Sequence, residues 1–138
     1  MLRVVADPGV LVSAVLTRTG PPAELIDRWR EGEFDLVVSP KLLGELEEVL
    51  LRPKFRPSVS EDDVRDYVDG LLAEALVVTD PDEPPAVTPD PDDDYLVALA
   101  VAAGADVIVS GDAHLTELEN PPTPVVTPRQ FVDRLDRS

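Results

Sequence analysis

Several acidic residues of this chain fall where an apolar run stops. Asp7 directly follows the run Leu2 to Ala6. Asp112 closes Val107-Ile-Val-Ser-Gly-Asp112, with Gly111 supplying a tight turn and Ser110 a hydroxyl beside it. Glu45 lies in a stretch that is apolar at Leu42, Leu43, Leu46, Val49 and Leu50, and Asp93 and Asp94 open another that is apolar at Leu96, Val97, Ala100 and Val101. An open α/β sheet binds ligands beyond the carboxyl ends of its strands, so a wrapped sheet would bring these places to one edge. Clustered carboxylates raise one another's pKa, and a divalent cation removes that cost. Mg²⁺ suits such oxygens because it is hard, near-octahedral and commonly bound by one or two carboxylates plus phosphate, with Mn²⁺ as a substitute. A water held there can attack a phosphodiester in line, which makes metal-assisted phosphodiester hydrolysis the implied reaction class.

Each residue also has a plainer role. Asp7 can serve as a turn or cap ahead of Pro8-Gly9. Glu45 alone reads as one solvated acid among Glu45, Glu47 and Glu48. Asp92, Asp93 and Asp94 sit where acids cap a helix and complement its dipole, so at least one of them does only that. Asp112 is placed to cap a short helix after Gly111, and His114 is most simply a surface residue or a helix-start hydrogen-bonder. Only the joint placement is specific.

The elements that must position these residues alternate. Unalternating apolar runs at Leu2 to Ala6, Phe34 to Val38, Ala75 to Val78, Val107 to Val109 and Pro124 to Val126 predict strands covered on both faces. Between them lie helical patterns at Val10 to Leu16, Pro22 to Arg30, Pro40 to Leu51, Glu61 to Ala73, Asp93 to Ala103, Leu115 to Leu118 and Pro128 to Leu135. Ser39-Pro40 is a cap followed by Pro at the first helical position, Ser60 to Asp63 resembles a capping box, and Thr127 to Gln130 combines both devices. The expectation is an α/β fold, a mostly parallel central sheet of about five strands with helices on both faces. Asp80 to Asp94, rich in Pro and Asp, reads as an exposed connection, and Asn120 to Pro124 as a short turn. Neither marks a boundary, so residues 1–138 form one domain.

Composition narrows the function. The chain carries 12 Lys and Arg against 28 Asp and Glu, a formal net charge of −16. Such a field repels phosphate backbones and counts against passive nucleic-acid binding, while leaving room for an enzyme that meets its substrate through a bound cation. It also suits salt adaptation or a basic partner. With no Cys and one His, disulfides and the usual zinc sites are excluded, so a metal must sit among oxygens. No leader pattern and no stretch of about 20 apolar residues is present, which makes a soluble cytoplasmic protein the expectation, without membrane association. Val64, Val68, Leu71 and Leu72 form a stripe that packs on the core or on a second subunit, and a homodimer is the expected assembly.

Together these segments resemble the PIN-domain nucleases over nearly the whole chain. In that family the first strand ends in an Asp, usually Asp-Thr-Asn-hydrophobic-Leu followed by Ser-Ala; here it reads Asp7-Pro-Gly-Val-Leu-Val-Ser13-Ala14. The second acid follows Ser-Pro on a helix, as in Ser39-Pro40-Lys-Leu-Leu-Gly-Glu45. The third motif is similar to Asp90-Pro-Asp-Asp93-Asp94-Tyr-Leu, the fourth to Ile108-Val-Ser-Gly-Asp112-Ala-His114-Leu115, and the closing strand and helix to Pro124 to Phe131. The resemblance implies a three-layer PIN-like fold and an endoribonuclease in which Asp7, Glu45, Asp93 and Asp112 bind metal or position water, with Asp94 an alternative to Asp93 and Ser13, Ser110 and His114 as auxiliaries. It further implies an RNA substrate and the toxin role in a toxin–antitoxin pair, with a cognate antitoxin as partner. Two departures stand out: Pro8-Gly9 replaces Thr-Asn, which removes groups that orient the site, and His114 stands where many members carry another acid.

Two rival readings follow from the same residues. Haloacid-dehalogenase-like phosphatases also place an Asp after the first strand, but they need a second Asp two residues on, where Gly9 stands. No Lys follows Lys54 to neutralise a phosphoaspartate, as a receiver domain would require. The stronger rival is a PIN-like binding or assembly module without turnover, supported by Pro8-Gly9. Acids kept at every motif place argue against it, because a scaffold has no need of repelling carboxylates.

Overall fold

Every apolar run forms a strand in the computed structural model, which describes residues 1–82, 88 and 90–137. The strands are β1 (Arg3–Ala6), β2 (Asp35–Val38), β3 (Leu76–Val77), β4 (Val107–Val109) and β5 (Val125–Val126). They make one five-stranded sheet in the order β3-β2-β1-β4-β5, with every neighbouring pair parallel. The inner strands match the unalternating pattern: Val4, Val5, Ala6, Leu36, Val37, Val38, Val107, Ile108 and Val109 are all buried. The outer strands do not match it. Leu76 and Val77 are exposed and Val125 and Val126 half-buried, since an edge strand lacks a neighbour and receives less helix cover.

The helices are α1 (Pro8–Thr17), α2 (Pro21–Arg30), α3 (Pro40–Leu50), α4 (Glu61–Glu74), α5 (Pro91–Ala103), α6 (Ala113–Thr116) and α7 (Pro128–Asp136), with a 3₁₀ turn at Pro53–Phe55. Their starts follow the capping residues. Ser39 Oγ accepts from the Leu42 amide at 3.2 Å, and Thr127 and Gln130 complete a reciprocal box at 3.1 and 2.9 Å. Ser60 supplies its half of the expected box, accepting from the Asp63 amide at 3.1 Å. α5 begins earlier than the apolar pattern implies, with Asp90 as cap and Pro91 at its first position. Asp80 to Asp94 is therefore not simply an exposed connection: it carries the first turn of α5 and two buried acids, Asp93 and Asp94. Residues 83–87 and 89 of that stretch lie outside the described residues.

The chain runs outward from β1 through β2 to β3, then crosses back to β4 and β5, so helices cover both faces of the sheet. α1 packs on α2 and α3, α2 on α7, and α3 on α4, whereas α5 lies against β1 and β4. Phe34 at the foot of β2 meets Phe131 of α7 edge to face, their ring centroids 5.0 Å apart. Arg28 of α2 binds Glu33 and Asp136 and ties the end of α7 to this layer. The α4 stripe is divided: Val64, Val68 and Leu71 are buried in the core together with Tyr67, but Leu72 is exposed. Among the described residues no helix is long and apolar enough to cross a membrane.

Phe131 is fully buried, edge to face on Phe34. Phe131→Ala is expected to destabilise the protein by about 3–5 kcal/mol, seen as a lower urea midpoint with an unchanged denaturant slope.

Candidate metal centre

β1 and β4 are neighbours although the strand order reverses between them, and their carboxyl ends flank the crevice where open α/β sheets bind ligands. Asp7 leaves β1 at this point, with its amide donating to Val109 O of β4 at 2.9 Å. Its Oδ1 accepts from the Gly9 amide at 3.0 Å and caps α1, while its Oδ2 accepts from Ser110 Oγ at 2.8 Å. Ser110 is fully buried, and the same Oγ accepts from the Asp112 amide at 3.0 Å. One hydroxyl thus orients the first acid and the backbone of the fourth. Asp112 caps α6, its Oδ1 accepting from the His114 amide at 2.9 Å. The turn does not draw on glycine's conformational freedom: Gly111 lacks a positive φ, and an added Cβ would meet nothing within 4 Å. Ser110 organises it instead.

Asp93 reaches the crevice from the first turn of α5. It is 4% exposed, and its Oδ2 is buried with no hydrogen-bond partner. Burial, then repulsion from Asp112, Asp90 and Asp7, pushes its carboxyl up to about 6, against an opposing pull from His114. Glu45, half-buried on α3, is also pushed up, first by burial and then by Asp92, with Lys41 opposing. Asp7, Glu45, Asp93 and Asp112 together line a pocket of about 210 Å³. Asp94 does not line it. Adjacent helix positions face different directions, and Asp94 Oδ1 instead accepts from the Thr88 amide at 2.7 Å. Ser13 lines an adjoining cavity that shares Asp7 and Asp112 with this pocket.

Two sets of residues are not assigned to the site by the sequence alone. Asp90 and Asp92 line the same pocket; the acidic run signals them, but spacing alone does not say which side chains turn inward. Behind the pocket, Ser39 Oγ lies 2.5 Å from Tyr95 Oη, Tyr95 donates to Asp80, and Asp80 Oδ2 accepts from the Lys41 amide at 3.1 Å. Burial pushes the Asp80 carboxyl up, but hydrogen bonds from Tyr95 and Ser39 outweigh it and hold the group below its ordinary value. This network fixes the start of α3 to α5, and so Glu45's helix to Asp93's. Ser39 was legible only as a cap.

The donor set fits a divalent cation. One oxygen each of Asp93 and Asp112 and one ring nitrogen of His114 all lie within 4.8 Å of one another. The partnerless Asp93 oxygen is the kind of group that a cation satisfies.

Comparison with known proteins agrees with this architecture. The family model described as PIN domain matches residues 3–114, which include every acid of the pocket. The chain is 25% identical over 145 residues to the uncharacterized protein MJ1680 of Methanocaldococcus jannaschii, covering 99% of this chain and 93% of that protein. Among solved structures it is similar to VapBC2 from Rickettsia felis bound to a DNA fragment from their promoter, with a TM-score of 0.66 and 11% identity over 91% of this chain and 98% of that one. It is also similar to PAE2754 from Pyrobaculum aerophilum, with a TM-score of 0.67 and 16% identity over 100% of this chain and 91% of that one. At these identities the structural likeness is one of fold.

The raised Asp93 carboxyl has a signed consequence. Between its ordinary 3.8 and about 6 the folded state holds this proton more tightly than the unfolded chain, so its contribution to stability falls as pH rises through that window. Asp93→Asn removes the titration. The difference in urea midpoint between variant and parent is expected to grow in the variant's favour from about pH 4 to about pH 6 and then level off.

Proposed function

Because the chain belongs to the PIN-domain family, a family of nucleases, we propose that it is a divalent-metal-dependent endoribonuclease hydrolysing RNA phosphodiester bonds. In this reading residues 1–138 act as one domain in the cytoplasm, as the toxin component of a toxin–antitoxin pair. The observation that carries the reading is the buried Asp93 oxygen without a partner, set in one pocket with Asp7, Glu45 and Asp112 at the strand ends.

Asp93 and Asp112 would hold the ion, Mg²⁺ or Mn²⁺, which when bound supplies Lewis-acid polarisation of a phosphoryl oxygen and acidifies a water. Asp7, gripped by Ser110 and the Gly9 amide, orients the attacking water. Pro8-Gly9 therefore leaves this carboxylate held, even without the family's Thr and Asn side chains. Glu45, whose carboxyl burial raises, is a better proton acceptor for that water than a solvated glutamate. The acidic surface repels RNA outside the pocket and suits an antitoxin with a basic segment. The fold shared with the Rickettsia VapBC2 protein supports such a pairing.

Purified protein is expected to cut single-stranded or structured RNA only with a divalent ion present. Asp7→Asn or Asp93→Asn should lower the rate by ~100-fold or more, and Ser110→Ala, which removes the bond to Asp7 Oδ2 and leaves only the Gly9 amide on Oδ1, by ~10-fold. A parent protein that leaves RNA intact in both Mg²⁺ and Mn²⁺ would instead make the fold a binding module.

A further inference from the structure

The proposed centre includes one donor that is not an oxygen. His114 lies in the first turn of α6, where its amide is bound to Asp112 Oδ1 at 2.9 Å, so the cap that fixes Asp112 also fixes His114 beside it. The ring is exposed and has no hydrogen-bond partner among the described residues. One of its nitrogens nevertheless stands within 4.8 Å of carboxylate oxygens of both Asp93 and Asp112. The Asp93 Oδ2 atom, buried and partnerless, is an independent sign that a ligand completes this place. Two donors on one small divalent ion stand at most about 4.2 Å apart, so a small rotation of the exposed ring closes the trio.

Resting on the metal-centre reading above, we propose that the His114 imidazole is a direct metal ligand, which makes the site a mixed nitrogen and oxygen centre that prefers Mn²⁺ and Co²⁺ to Mg²⁺. Mg²⁺ is a hard ion that favours oxygen donors and gives up its waters reluctantly. An imidazole nitrogen adds little for it. The same nitrogen strengthens binding along the series from Mn²⁺ to Co²⁺, where affinity for a given mixed site rises. A carboxylate at position 114 would give Mg²⁺ another hard oxygen. The histidine thus sets ion selectivity, while Asp93 and Asp112 supply the charge.

The test is metal binding without RNA. Calorimetric titration of the full chain with MgCl₂, MnCl₂ and CoCl₂ is expected to give affinities rising in that order. In His114→Asp the preference for Mn²⁺ over Mg²⁺ should shrink by ~10-fold. Pulsed electron paramagnetic resonance of Mn²⁺ bound to the parent should show ¹⁴N modulation from a directly bound imidazole, absent in His114→Asp; this readout would not follow from a merely structural histidine. If Mn²⁺ binds without nitrogen coupling, or the ion preference is the same in both proteins, the ligand assignment is overturned while the metal centre stands. If the parent binds none of the three ions at millimolar concentration, both fall.

Discussion

The pairing of β1 with β4 is the interaction on which the candidate centre depends. It joins residues about a hundred positions apart, Ala6 opposite Val109, and it carries the chain across the point where the strand order reverses. Both strands then end side by side. Asp7 stays in the ladder through its amide, and Ser110, one residue beyond β4, is close enough to hold the Asp7 carboxylate. Such a buried parallel pairing is slow to form and needs cover on both faces, which explains why every residue of β1 beyond Arg3 and all of β4 is apolar and buried.

Placing acids at that junction opposes folding. Asp93 is buried with an oxygen that nothing in the chain satisfies, and its neighbours on the crevice carry the same charge. The remaining packing has to hold these groups together. Three devices do so jointly, namely the Ser110 hydroxyl, the caps that Asp7 and Asp112 make at their helices, and the Ser39, Tyr95 and Asp80 network that fixes α3 against α5. Each is a polar contact satisfied at the edge of the core, where an unmade hydrogen bond is expensive. A centre held this firmly before a ligand arrives loses little freedom on binding.

The acidic surface and the acidic centre are distinct matters. A net charge of −16 makes the molecule repel polyanions at long range. Salt screens such repulsion within about 10 Å at 0.1 M, whereas an ion bound at the proposed centre would act at contact distance. An RNA would therefore be engaged locally, and a basic protein over a wide area.

Much was legible from residue order alone. The apolar runs specify the strands because only continuous burial suits inner parallel strands, and Ser39, Thr127 and their prolines mark helix starts because their side chains can satisfy free amides wherever they occur. The placement of Asp7 and Asp112 after β-branched runs was enough to locate the sheet edge. Other features required the third dimension. The acidic run left Asp93 and Asp94 both open; Asp93 lines the pocket and Asp94 turns to the Thr88 amide because neighbouring positions of α5 face different ways once the helix is seated on β1 and β4. Asp90 and Asp92 join the pocket, Tyr95 reaches across to Ser39, and His114 comes within 4.8 Å of Asp93 only after distant elements pack. Local structure is governed by neighbouring residues and is written in their order; a site is governed by distances between elements, which a linear chain acquires only when its core closes.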